Sequence, residues 1–79
     1  MSLKNHFSGS FDVGELRAEL ARRGWSQHDF ACATGITPSH ASWICRGARP
    51  TMDAVERIVA ALGTEASRRI FGRGPGGEP

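Results

Sequence analysis

Tyrosine is absent from this 79-residue chain, cysteine occurs only twice, and no apolar run approaches the roughly 18 residues of a membrane-spanning helix. Two cysteines, Cys32 and Cys45, are too few for a disulfide framework, so reduced thiols are expected. The opening MSLKNHFSGS carries a single lysine and no apolar stretch. It predicts neither a secretory nor a transit peptide, and a cytoplasmic location is the expectation. No nucleophile, base and orienting group stand at a recognisable spacing, so an enzyme is not expected. Strand-like alternation and internal repeats are missing too, which leaves an all-α class. One further absence is local: positions 30–52 hold no Asp or Glu, although His40, Arg46 and Arg49 lie among them. Asp12, Glu15, Glu19, Asp53 and Glu56 stand on either side. A net charge of +2 names no partner, but this window suits an anionic one.

With 39% apolar and 23% charged residues the composition is that of one soluble globular domain, whose core at this length must be small. Glycines at 24, 35, 47, 63 and 72 each follow a short apolar-periodic stretch, as helix-ending glycines do. The punctuation predicts a compact bundle of about five short helices. The first covers residues 13–23, entered through Asp12 with Glu15 three residues on, and buries Val13, Leu16 and Leu20. Glu19 and Arg23 form a surface pair on it. The second starts at Ser26, capped with Asp29 at the third position, and buries Phe30 and Ala31 before Gly35. Thr37 caps the third, Pro38 takes its first position, and the helix runs over residues 37–46 to Gly47. Thr51 caps the fourth, whose Val55, Ile58, Val59 and Leu62 recur at helical spacing. Thr64 and Glu65 open the fifth, with Ala66, Ile70 and Phe71 for burial. Residues 1–11 are expected to be a flexible lead, residues 12–72 the folded domain, and the Gly- and Pro-rich residues 73–79 a disordered tail.

Two short helices separated by Gly35 and Ile36 alone cannot lie antiparallel, and a turn this tight through a left-handed glycine sets them at a steep angle. That geometry asks for a small residue at Ala31, an inward Ile36, and Ala41 with Ile44 on the buried side of the third helix. The run S26-Q27, F30-A31, G35-I36-T37, S39, S42, I44, R46-G47 and R49-P50, followed by residues 51–63, resembles the phage repressor and Cro-like helix-turn-helix family, also called the XRE family. The resemblance covers about residues 13–71. It departs from the family pattern at Thr34, where a large aliphatic is usual, and at Ala41, where a β-branched residue is.

The resemblance implies a lambda-repressor-like fold and a partner, double-stranded DNA, bound in a sequence-specific way, commonly as dimers. It implies a transcriptional regulator, a repressor or autoregulator, or the antitoxin of a toxin pair. Gln27 matches the residue that meets the DNA backbone. Thr37, Pro38 and Ser39 match the first turn of the recognition helix, nearest the bases. His40 and Ser42 fall where relatives make phosphate or neighbouring contacts, Trp43 at an outward position that can reach a base edge, and Arg46 and Arg49 where relatives approach phosphates.

Helical spacing agrees independently, because Ser39, Trp43 and Arg46 form a stripe on a face other than that of Ala41 and Ile44. The first turn lacks the Gln, Asn or Arg of bidentate base readers, so Pro38 and Trp43 offer apolar contacts to thymine methyls and Ser39 a hydroxyl. Modest discrimination per half-site is expected. Trp43 has a second reading as one of three side chains, with Phe30 and Trp25, that could fill the volume left by Thr34 and Ala41, or as the anchor of a protein-interaction adaptor. Arg46, Arg49 and Gln27 also read as solvated surface, and Thr37 as a cap. A zinc site from His28, Cys32, His40 and Cys45 would need all four to converge, and none is expected, nor any cofactor. Ile70 and Phe71 either close the core or form the seam of a weak homodimer.

Overall fold

Four of the five helices begin where a side-chain oxygen replaces the missing intrahelical acceptor. The computed structural model describes residues 9–72 and orders them as α1 Val13–Arg23, α2 Gln27–Thr34, α3 Pro38–Cys45, α4 Met52–Leu62 and α5 Thr64–Phe71. Asp12 accepts from the Glu15 amide at 3.0 Å and Thr51 from the Ala54 amide at 3.1 Å. At α2 the cap is reciprocal: Ser26 Oγ accepts from the Asp29 amide at 3.1 Å while the Asp29 carboxylate accepts from the Ser26 amide at 2.9 Å. These bonds hold the Asp29 carboxyl below its ordinary range. Each such cap is worth about 1 kcal/mol. Helix α5 follows Gly63 directly and has no side-chain cap.

The described residues form no β-strand, and the class is all-α. Leu16, Phe30, Ala41, Ile44 and Ile58 are wholly buried, and Leu20, Ile36, Val55, Leu62 and Ile70 complete the core around them. Helix α2 packs on α3 and α4, α1 on α3 and α5, and α4 on α5. Among the described residues no helix is long and apolar enough to cross a membrane.

Several expectations change once the helices pack. Val59 is exposed, because α4 turns Ala54, Val55, Ile58 and Leu62 inward and leaves position 59 at the margin of that face. Val13 is only half-buried. Gly72 keeps right-handed dihedrals (φ −66°) and so does not end α5 by the left-handed route. Ile70 and Phe71 are buried within the monomer, with the Phe11 ring stacked on Phe71 at 5.7 Å and the Asp12 amide donating to the Ile70 carbonyl at 2.9 Å. They close the core. Gly9 is buried and its carbonyl accepts from Arg49 Nη1, so the packed unit starts before Asp12, ahead of the boundary expected from composition. The flexible lead over residues 1–8 and the tail over residues 73–79 lie outside the described residues.

Glu19 departs most from its expected role. It is 7% exposed, accepts from Arg22 at 2.8 Å, Arg23 at 2.7 Å and Arg69 at 3.2 Å, and so ties α1 to α5. Bonds from Arg23 and Arg22 outweigh the cost of burial and hold its carboxyl at a pKa of about 2. Arg23 also donates to the Leu62 carbonyl at 3.0 Å and lies over the Trp25 ring at 5.2 Å.

Candidate nucleic-acid interface

The turn between α2 and α3 is fixed from both sides. Gly35 sits at φ 79° and ψ 12°, a conformation that costs a side-chain-bearing residue about 1–2 kcal/mol, and its amide reaches the Ala31 carbonyl at 2.8 Å. The Thr34 hydroxyl donates to the Phe30 carbonyl at 2.8 Å and accepts from the Ile36 amide at 3.3 Å. Thr34 is buried, so the departure from an aliphatic residue is explained by a hydroxyl that stitches the turn. Ala31, at 4% exposure, allows the close crossing of α3, and Ile36 points inward.

Helix α3 is shorter than its expected span: Thr37 is its cap, accepting from the His40 amide at 3.2 Å, Pro38 is its first residue, and Arg46 is already its C-cap. Beyond the cap the chain folds back. The Gly47 amide donates to the Ile44 carbonyl at 3.0 Å and the Ala48 amide to the Trp43 carbonyl at 2.9 Å, the paired bonds of a Schellman motif. Arg17 of α1 covers a remaining carbonyl, its Nε donating to Cys45 O at 2.8 Å, and brings positive charge to the negative end of the helix. The orientation of α3 is thus set by Ala41 and Ile44 in the core, by Thr37 at one end and by Arg17 at the other.

The opposite side of α3 is open. Trp43 is 62% exposed, which removes its reading as a filler of the core, and Ser39 and Arg46 are exposed on the same stripe. Thr37, Ser39, His40, Trp43 and Arg49 surround one shallow concavity together with Ala48 and Thr51. Gln27 and Arg46 border another, with Arg17 and Trp25. Pro38 is exposed at the start of α3 and Ser42 is half-buried along its flank. Seven of the nine expected contact residues therefore fall in two groups beside α3, and Pro38 and Ser42 lie on α3 outside both. Arg49 is also committed within the protein, through its bond to Gly9 O. Arg17 escaped the sequence reading because its partner is 28 positions away and nothing local marks it.

Electrostatics favour the same face. At its edge Asp53 borders a hollow with Thr37 and His40 and is held by Arg57 at 2.8 Å, which raises the Arg57 pKa. Cys32 lies 3.5 Å from His28 on the exposed side of α2, whereas Cys45 is buried at the end of α3, where burial raises its thiol pKa. Among the described residues no three His, Cys, Asp or Glu side chains gather as metal ligands would.

Searches of curated proteins and of solved structures found no match to the chain. The helix-turn-helix domain family matches residues 13–69, from the first turn of α1 into α5. That span contains the capped α2, the glycine turn and the exposed α3, and the chain belongs to the helix-turn-helix domain family.

Proposed function

We propose that this protein is a sequence-specific binder of double-stranded DNA, a transcriptional repressor or autoregulator of the phage repressor and Cro-like type, and not an enzyme. Helix α3 lies in the major groove, which at about 12 Å wide admits a helix with its side chains. The observation that carries this reading is the exposed stripe of Ser39, Trp43 and Arg46 on a helix whose other side is locked into the core. Gln27, at the positive end of α2, and Arg46 meet the phosphates on one side, with Arg17 beside them. Arg49 and His40 approach them on the other. The small interface of one subunit suits two weakly associated copies on a two-fold site.

Selection of bound sequences from a random duplex pool tests the reading and reports half-site spacing. If about four side chains per subunit neutralise phosphates, the log of the binding constant falls with log salt at a slope of about −3 to −4 per subunit. Retention that ignores salt, or a pool that yields no enriched sequence, overturns it.

The exposure of Trp43 favours one other reading, an adaptor that uses the ring to anchor a protein partner. Under that reading Trp43→Ala abolishes partner capture, whereas removal of Arg46 and Arg49 leaves it intact.

A further inference from the structure

The stripe of Ser39, Trp43 and Arg46 is visible in the helical spacing; the wall that faces Trp43 is not. The Schellman turn after α3 brings Ala48 back to the Trp43 carbonyl, and the strand of chain from Ala48 to Thr51 then runs beside the indole. The concavity of about 550 Å³ between them is lined by Trp43, Ala48, Thr37 and Thr51, with Ser39, His40 and Arg49 completing it. Its walls are mostly apolar, no carboxylate lines it, and its charged member is an arginine. Among its side chains the indole, the hydroxyls, the imidazole and the guanidinium can form hydrogen bonds, and none of them has the side-by-side donor and acceptor of Asn or Gln that pairs with adenine.

In the major groove the apolar feature of a base pair is a methyl group on C5 of a pyrimidine, carried by thymine and by 5-methylcytosine but not by cytosine or uracil. We infer that the Trp43 concavity is a subsite for that C5-methyl group, so that the protein reads pyrimidine methylation and accepts 5-methylcytosine in place of thymine. The inference rests on the proposal that α3 enters the major groove. Its chemistry follows from the lining: the mostly apolar surface that Trp43, Ala48 and the two threonines share, with no carboxylate in it, suits an apolar C5-methyl group.

The test uses the full chain and a duplex taken from the random-pool selection. Each thymine is replaced singly by uracil, which removes the methyl and leaves every hydrogen-bonding group in place. At one or two positions per half-site uracil is expected to weaken binding about three- to fourfold, the effect of one buried methyl. At the same positions cytosine is expected to bind more weakly than 5-methylcytosine by about the same factor. Trp43→Ala, at an exposed position that does not threaten folding, is expected to erase both differences. Salt-dependent duplex binding that tolerates uracil at every position overturns the methyl subsite and leaves the DNA-binding proposal standing. So does a Trp43→Ala variant that still distinguishes the methylated bases. Failure to bind any duplex at low salt overturns both.

Discussion

Arginine does opposite things at the two ends of this small fold. Where α1 meets α5, Arg22, Arg23 and Arg69 converge on the buried Glu19 carboxylate, and their charge is spent on joining two helices far apart in sequence. Around α3, Arg46 makes no ion pair among the described residues, and Arg17 bonds to the Cys45 carbonyl. A carbonyl satisfies a guanidinium donor without cancelling its charge. The first end is neutralised and structural, whereas at the second Arg17 and Arg46 stand outside the ion pairs of the described residues. Net charge alone would not separate them.

The largest expected effect tests the second end. Two charge-assisted contacts at about 1.5 kcal/mol each make Arg46→Ala with Arg49→Ala about a hundredfold weaker in duplex binding, and the salt slope should fall by about 2. Titration of a labelled duplex at several salt concentrations gives both quantities. Urea unfolding should move by less than about 1 kcal/mol, part of it from the lost Gly9 bond. A double variant that binds with the parent's affinity and slope would remove the distinction between the two ends.

Glu19→Gln should do the reverse. Leaving three arginines without their carboxylate is expected to cost about 2 kcal/mol in urea unfolding, less than a fully buried pair because Arg22 and Arg69 are about half exposed. DNA affinity should stay within about twofold. The same residue predicts a pH dependence. Its folded pKa of about 2 lies below the ordinary 4.5, so its contribution is complete above pH 4.5 and fades as pH falls toward 2. The stability curves of the parent and of Glu19→Gln should therefore converge in acid, and a gap of constant size would show that the carboxylate charge is not what stabilises this end.

A smaller effect is expected at the turn. Gly35→Ala places a side chain at φ 79° and should cost about 1 kcal/mol; the added methyl would meet only the flexible end of Arg57, at 3.0 Å. Gly24→Ala, at φ 70° with nothing within 4 Å, should cost a similar amount in the turn before α2. DNA binding is the discriminating readout: it should weaken in the first variant, where the angle between α2 and α3 is altered, and hold in the second.

The sequence made the caps, the glycine turn and the buried pair Ala41 and Ile44 legible because each depends on residues within one helical turn of another. Glu19 was legible only as the partner of Arg23, since Arg69 stands fifty positions away and meets it through packing alone. Gly9 and Phe11 were missed for the same reason: short polar sequence gives no sign that Arg49 and Phe71 will hold it. Val59 shows the limit of periodicity, which locates a helix but leaves the rotation of its face open by about one residue. At the site, the stripe on α3 was readable, whereas Arg17 and the wall opposite Trp43 arise from chain reversals that no local pattern encodes.

A small expected effect on stability belongs to the residue most exposed to question. Trp43 keeps 62% of its surface exposed, so Trp43→Ala should change urea unfolding by no more than about 1 kcal/mol. A tryptophan that contributes so little to its own fold still carries an apolar ring into water beside an arginine and two threonines, and that arrangement gains its stabilisation only when something covers the ring. Duplex binding by this variant should fall severalfold while its unfolding curve stays within that margin of the parent's. If the curve instead shifts by about 2 kcal/mol or more, Trp43 belongs with Glu19 as a structural residue, and the reading face would have to be assigned to Ser39 and Arg46 without it.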